Sequence, residues 1–337
     1  MTEETRADDS WLWDRSGDPD PQLREWETLL SEVRTAAPLP APPRFEPVAR
    51  WRREHLALAA SLVLAAAAGV LWYALGDTGV SVDTVTGTPT LSGQLVVERT
   101  PVVPGAVVET GAEAEARLRI GRIGWVRVRT DTVVQVLAAQ TDAYRLSIRR
   151  GAVRADISAD PGVFVVDTPF ATAIDMGCVY ELIVDTSGGG SLTVESGWVA
   201  FESPGRQALV PEGGRALSRG AAGVGSPYYL DASPAFAAAL AIVDFPPDAD
   251  AVRRTGALAE VLAQAREKDA ITLLTLLRRV DAAGRLLVHD RLRVLLPPPA
   301  GVTRTGIGAG DLAMIDRWWE ALEIEFDKKP PVARSPG

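Results

Sequence analysis

Cysteine and histidine are nearly absent: 337 residues contain only Cys178, His55 and His289. One cysteine rules out an internal disulfide and any zinc site built on several thiolates. Two histidines far apart in the chain leave no conventional zinc or di-metal centre, so no metal and no cofactor is expected. An excess of basic charge is also missing. Lys and Arg number 35 against 44 Asp and Glu, for a formal net charge of −9. Binding to phosphate backbones needs a basic surface, so nucleic acid is not the expected partner. No glycine-rich loop opens a helix with a lysine, which a phosphate cradle would require.

What is present is organised around one apolar run. Leu56 to Leu75 reads LALAASLVLAAAAGVLWYAL, twenty residues with neither charge nor proline. About 20 residues of helix cross the ~30 Å hydrocarbon core of a bilayer. Arg50, Arg52 and Arg53 precede the run, and Asp77 and Asp83 follow it. The cationic flank predicts an N-terminus in the cytoplasm, and Trp72 and Tyr73 suit the outer headgroup layer. Two other readings compete. Eight alanines make the run only moderately apolar, as in a buried core helix. Ala66–Ala68 resembles a signal-peptide cleavage site, but more than fifty residues lie ahead of it, far longer than a secretory leader.

The expected organisation follows: a cytoplasmic segment 1–35, a linker 36–54, a transmembrane helix 55–76, a β domain 80–220, a helical domain 233–327 and a disordered tail 328–337. In the first segment Asp20-Pro21 is a helix start, an N-cap acceptor followed by proline at the first helical position. Leu23, Trp26, Leu30 and Val33 then recur every three or four residues, forming one apolar stripe. Trp11 and Trp13 lie just upstream. These six residues are the candidate partner-binding set. A lone helix this short is marginal in water, so the stripe is read either as a docking surface or as part of a fluctuating tail. Pro38, Pro40, Pro42, Pro43 and Pro47 then favour an extended spacer.

From Val80 to Ser218, short Val-, Ile- and Thr-rich runs alternate with glycines. They include Gln94–Glu98, Ala116–Ile120, Trp125–Arg129, Thr132–Leu137, Arg145–Ile148, Val153–Ile157, Val163–Asp167, Tyr180–Val184, Ser191–Glu195 and Trp198–Glu202. Arginine alternates with apolar residues in the second and third of these, which predicts a half-buried sheet with a solvated arginine face. An antiparallel sandwich, barrel or solenoid-like β fold is expected. Helical periodicity replaces the β pattern at 236–245, 258–266, 270–280, 285–296 and 312–326. Asp269 and Asp311 are expected N-caps there. Trp318-Trp319 are expected to serve the helical core.

Several segments of the β region together resemble the FecR domain, the extracytoplasmic part of single-span sigma-factor regulators. They are Gly105-Ala-Val-Val-Glu-Thr-Gly111 followed by Ala114–Ile120; Leu146-Ser-Ile-Arg-Arg-Gly-Ala-Val153, read as strand, glycine turn and strand; Phe164–Pro169 followed by Ala173–Leu182; and Leu192–Val199. Cys178 stands where threonine is usual and Tyr180 where phenylalanine is usual. The cytoplasmic segment lacks the family's amino-terminal pattern, and the C-terminal helices do not resemble the βαβ module of its transport-linked members. The resemblance implies an anti-sigma-type protein in the bacterial inner membrane. Its β-rich, FecR-like periplasmic domain would carry an α-helical C-terminal domain. Its partners would be a cytoplasmic sigma factor and a periplasmic protein or envelope ligand. The alternative is a membrane-tethered binding or structural module with no sigma partner. No catalytic constellation stands out, and an enzyme is not expected. Cys178 reads as a buried small hydrophobe, and Gly177 as a tight backbone position.

Overall fold

Every second side chain is apolar along most of residues 80–218, and the strands that result enclose one core between two sheets. The computed structural model describes residues 21–32, 79–246 and 251–322. The run Leu56–Leu75 lies outside them. Among the described residues no helix is long and apolar enough to cross a membrane.

The first sheet runs in the order Thr100–Val102, Val80–Thr86, Glu115–Ile120, Gly124–Val128, residues 151–157, Val179–Val184, Gly190–Ser196, Gly214–Ser218 and Tyr228–Tyr229. The second runs Gln94–Leu95, Thr90–Leu91, Val107–Glu109, Val133–Gln140, residues 143–150, Phe164–Asp167, Thr172–Asp175, Trp198–Ser203 and Arg206–Pro211. All these neighbours are antiparallel except Phe164–Asp167, which pairs in parallel with residues 144–147. Both sheets point alternate residues into one buried cluster, including Leu118, Val126 and Leu182 from the first and Leu146, Phe164 and Phe201 from the second.

One strand belongs to both sheets. Ala143–Ile157 is continuous for 15 residues, and its pairing changes sheet between Arg150 and Gly151. The glycine turn expected within 146–153 is therefore corrected: the chain crosses between sheets there without reversing. Gly151 makes this possible. Its φ is +99°, and a Cβ would lie 2.2 Å from the Thr132 hydroxyl. That hydroxyl is buried and accepts the amide of Ala152 at 2.9 Å.

Helix α1 (Pro21–Glu32) is described by itself and begins at the proline that the sequence marks. After the β domain come α2 (Pro234–Asp244), α3 (Ala251–Gln264), α4 (Ala270–Leu277), α5 (Ala282–Leu295), α6 (Arg304–Ala309) and α7 (Leu312–Glu320). Ser233, Asp281, Thr303 and Asp311 cap α2, α5, α6 and α7 by accepting amides of the first turn. Asp311 is thus the cap expected, but Asp269 is not. Its buried carboxylate turns backwards to accept the Arg266 amide at 2.8 Å and the Arg266 guanidinium. Trp318 is fully buried and donates its indole N–H to Leu296 O, while Trp319 packs at the edge of the same core. His289 is buried edge-on to Trp318 at 5.4 Å.

The β domain and the helices meet at a buried ion pair. Asp244, at the end of α2, accepts the Ser226 amide at 2.6 Å, the Ser226 hydroxyl at 3.0 Å and Arg279 Nη1 at 3.0 Å. Arg279 also donates to Val224 O and Gln207 O, both at 2.9 Å. The two side chains are 2% and 6% exposed. Removing one partner leaves the other buried and charged, which typically costs about 3–5 kcal/mol. Asp244→Ala is therefore expected to lower the unfolding free energy by that amount. The double variant Asp244→Leu/Arg279→Met should lose less, because no charge is stranded. Urea unfolding of the three proteins measures both; equal losses would show that the pair itself is not what joins the two parts.

Candidate functional site

Helix α1 carries three of the six candidate partner-binding residues. Leu23 is half-buried, whereas Trp26 and Leu30 are 66% and 63% exposed. Leu29 is exposed beside them. At ~100° per residue, Leu23, Leu30, Trp26 and Leu29 span an arc of about 120°, wide enough for a docking face. Leu29, three residues after Trp26, lies on the same face although it is not among the six. Trp11, Trp13 and Val33 lie outside the described residues.

The arginine face lies on the outside of the first sheet, half-exposed as its alternation predicts. Arg117 and Arg154 both stand 5.5 Å from the Trp125 ring centre. Arg127 pairs with Glu115 at 2.7 Å, Arg129 with Glu181 at 3.4 Å and Arg154 with Glu195 at 2.7 Å. Charges of both signs interleave, so the face has no uniform field for an anionic polymer.

The turn from Asp175 to Val179 carries the chain from the second sheet to the first. Asp175 is 1% exposed and accepts the Gly177 amide at 2.7 Å and the Cys178 thiol at 2.9 Å. Gly177 has a φ of +79°, the constrained position expected of it. Cys178 is fully buried, and burial together with the adjacent carboxylate pushes its thiol pKa far up, which makes it inert. Tyr180 is buried with no partner for its hydroxyl among the described residues. Burial raises the Asp175 pKa to about 7, against the hydrogen bonds that favour its charged form. Sequence spacing did not reveal this group, because Asp175 reads as an ordinary strand-end carboxylate.

On the outside of the second sheet, Val165, Ile174, Ala200 and Leu209 lie opposite one another on four successive strands. The last two form, with Met176, the floor of a cleft of about 810 Å³. Its far wall is Thr275, Arg278, Asp316 and Trp319, from α4, the turn after it and α7. Arg278 is paired with Asp316 and Arg279 with Asp244. Glu202, also on the cleft, accepts from Gln207 at 2.6 Å. Arg206 donates to the backbone oxygen of Asp244 at 3.1 Å. Among the described residues no carboxylate comes within ion-pair distance of it.

Among the described residues no group of three or more His, Cys, Asp or Glu is placed to hold a metal ion. His289 is packed in the helical core, with Nδ1 3.1 Å from Asp290. Glu115 is engaged by Arg127.

No protein-family model matches the chain, and no curated protein matches it. The FecR resemblance therefore rests on the residue patterns alone. Among solved structures the chain is similar to two crystal structures of a "putative anti-sigma factor" from Parabacteroides distasonis ATCC 8503. Each is 14% identical with a TM-score of 0.32, and the match covers 36% of this chain and 59% of that one. The chain thus spans about 59% of the length of the solved protein it matches. A likeness of this size bears on neither activity nor partner.

The buried carboxyl has a consequence for stability. Its folded-state pKa, about 7, exceeds the ordinary carboxylate value of 3.8. The folded protein thus holds a proton that the unfolded chain releases. The contribution of the protonated form is complete below about pH 4 and is lost as pH rises through about 7. Wild type is expected to lose on the order of a few kcal/mol more than Asp175→Asn between about pH 5 and about pH 8. Urea midpoints of both proteins at the two pH values give the difference; parallel changes would mean that Asp175 titrates normally.

Proposed function

We propose that this chain is a single-span signalling protein of the bacterial inner membrane that regulates a sigma factor. In this reading Leu56–Leu75 crosses the membrane and α1 lies in the cytoplasm. The β domain and the C-terminal helices stand outside and receive an envelope signal. The protein acts by binding and not by catalysis. The observation that carries the reading is the apolar face of α1. Trp26, Leu29 and Leu30 are all more than 60% exposed on a 12-residue helix. Each such side chain gains about 1.5–3 kcal/mol when fully buried, so this face favours a partner that covers it. The one-sided arginines before the apolar run and the order of β motifs after it supply the topology and the FecR resemblance.

The partner-binding set is Trp11, Trp13, Leu23, Trp26, Leu30 and Val33, with Leu29 added from the exposed face. The periplasmic partner is a protein or an envelope ligand.

Full-length protein, solubilised and captured from cells of the source bacterium, tests the proposal. Wild type is expected to retain a sigma factor, and Trp26→Asp/Leu30→Asp to lose it by at least about tenfold, the loss of a central hot spot. The double variant should keep the wild-type unfolding midpoint of the β domain, since both residues are solvent-exposed. Retention of the sigma factor by the double variant would show that α1 is not the contact. Absence of a sigma factor from both captures would favour a tethered module with no such partner.

A further inference from the structure

The cleft between the second sheet and the C-terminal helices has a volume in the ~300–1,000 Å³ range of small-ligand sites. Its lining is divided. Met176, Ala200, Leu209 and Trp319 make an apolar strip, and Ser203, Glu202, Gln207 and Thr275 ring it with hydrogen-bonding side chains. Gln207 donates to Glu202 and Ser203 accepts the Val224 amide, but these three side chains keep further donors and acceptors, which a plain acyl chain would desolvate unpaired. A peptide backbone offers an amide or carbonyl to Ser203, Glu202 and Gln207, while its side chains reach the floor.

The charges specify one end of the ligand. Arg278 and Arg279 have carboxylate partners, and among the described residues Arg206 has none. Arg206 also lies close enough to Arg279 for its charge to help depress the Arg279 pKa, alongside the larger effect of burial. The two guanidiniums thus meet at one residue, Arg206 on the backbone oxygen of Asp244 and Arg279 on its carboxylate. Arg206 is the cleft guanidinium with no acid within ion-pair distance among the described residues, although Glu202, bonded to the neutral Gln207, also lines the cleft.

We propose that this cleft binds a short extended peptide, with an apolar side chain on Leu209, Ala200 and Trp319 and its terminal carboxylate at Arg206. Under the signalling reading above, this is the input site for an envelope signal. The binding itself does not rest on that reading, and a failed sigma-factor capture leaves it standing. None of the residues that make the site was singled out as a binding residue from the sequence. They come from four separate stretches, 176, 200–209, 275–279 and 316–319, that only the fold brings together.

The test uses the full chain in detergent micelles and a dye-labelled pentapeptide of alternating valine and threonine ending in phenylalanine. The peptide is supplied with a free C-terminus and as its C-terminal amide, and binding is read by fluorescence anisotropy. The acid is expected to bind saturably and the amide about tenfold more weakly, the factor that one charge-assisted hydrogen bond contributes. Arg206→Gln should remove the difference between acid and amide. Leu209→Glu should weaken both peptides by putting a carboxylate on the floor. Equal binding of acid and amide by wild type would overturn the proposal, as would no saturable binding up to about 1 mM. So would retained discrimination in Arg206→Gln. The acid–amide comparison needs no variant, so it stands even if a substitution impairs folding. A thermal transition matching wild type is the check on each variant.

Discussion

Two opposite charges that cannot be left unpaired determine how the β domain and the C-terminal helices are put together. Asp244 ends a helix, Arg279 follows another, and both are buried where the β domain meets the helices. Neither could be buried alone at an acceptable cost. Each also spends its remaining hydrogen-bonding capacity on the β domain, Asp244 on Ser226 and Arg279 on the carbonyls of Val224 and Gln207. Apolar contact alone would let the helices slide over a sheet surface. A charge pair with five directed hydrogen bonds fixes one position. The surroundings are shaped for it: a Cβ at Gly225 would lie 2.8 Å from the Phe245 ring, next to Asp244. The cleft inherits this definition. Arg278 and Thr275, on its wall, are one and four residues from Arg279, and Gln207, on its rim, is bonded to Arg279 directly.

Inside the β domain a different constraint governs. Two sheets over one core here share one strand, which passes from one to the other at Gly151. Close packing at the crossing leaves no room for a side chain. The buried polar groups beside it are satisfied locally: the Thr110 hydroxyl bonds to Arg129 O and accepts the Thr132 amide, and the Thr132 hydroxyl accepts the Ala152 amide. Gly124 is a second close approach, since a Cβ there would sit 2.0 Å from Asp156 O. The segment around Gly151 reads from sequence as a strand, a glycine turn and a strand. Gly151 sits inside a strand, whereas Gly124 opens one at the end of the 121–123 hairpin turn; at both, the missing side chain lets backbones approach.

Legibility followed the range of the interaction. Strands such as Glu115–Ile120 were evident because alternation is a local pattern and one face is buried. The Asp311 cap was legible for the same reason. Asp269 looked identical in sequence but had a stronger option, a guanidinium three residues back. Helix α6 was missed because Gly306 and Gly308 suggest a loop. In the fold they are small for packing, with Met314 and Leu286 against their Cα atoms. The α1 face was legible apart from Leu29, being a matter of helical spacing alone. The cleft was not, because Arg206 lacks an acid partner only in three dimensions. A sequence with 44 acidic residues gives no hint that one particular arginine has no carboxylate within ion-pair distance among the described residues.

The turn at Asp175 connects these two levels. One residue, Asp175, is buried in the β core with a carboxyl whose pKa lies near neutrality, and the next, Met176, lines the cleft. Ionising a buried carboxyl is unfavourable unless its donors tighten around it or water reaches it. Either response acts on the Asp175–Gly177 backbone, to which Met176 belongs. A ligand that displaced Met176 would bias the same backbone. Where two events bias one element, linkage makes their effects reciprocal: whatever protonation does to ligand affinity, the ligand does to proton affinity by the same factor. The chain therefore places a carboxyl whose pKa burial raises to about 7 next to a residue on the floor of the cleft. Any ligand that occupies the cleft is coupled to pH to the extent that it shifts Met176.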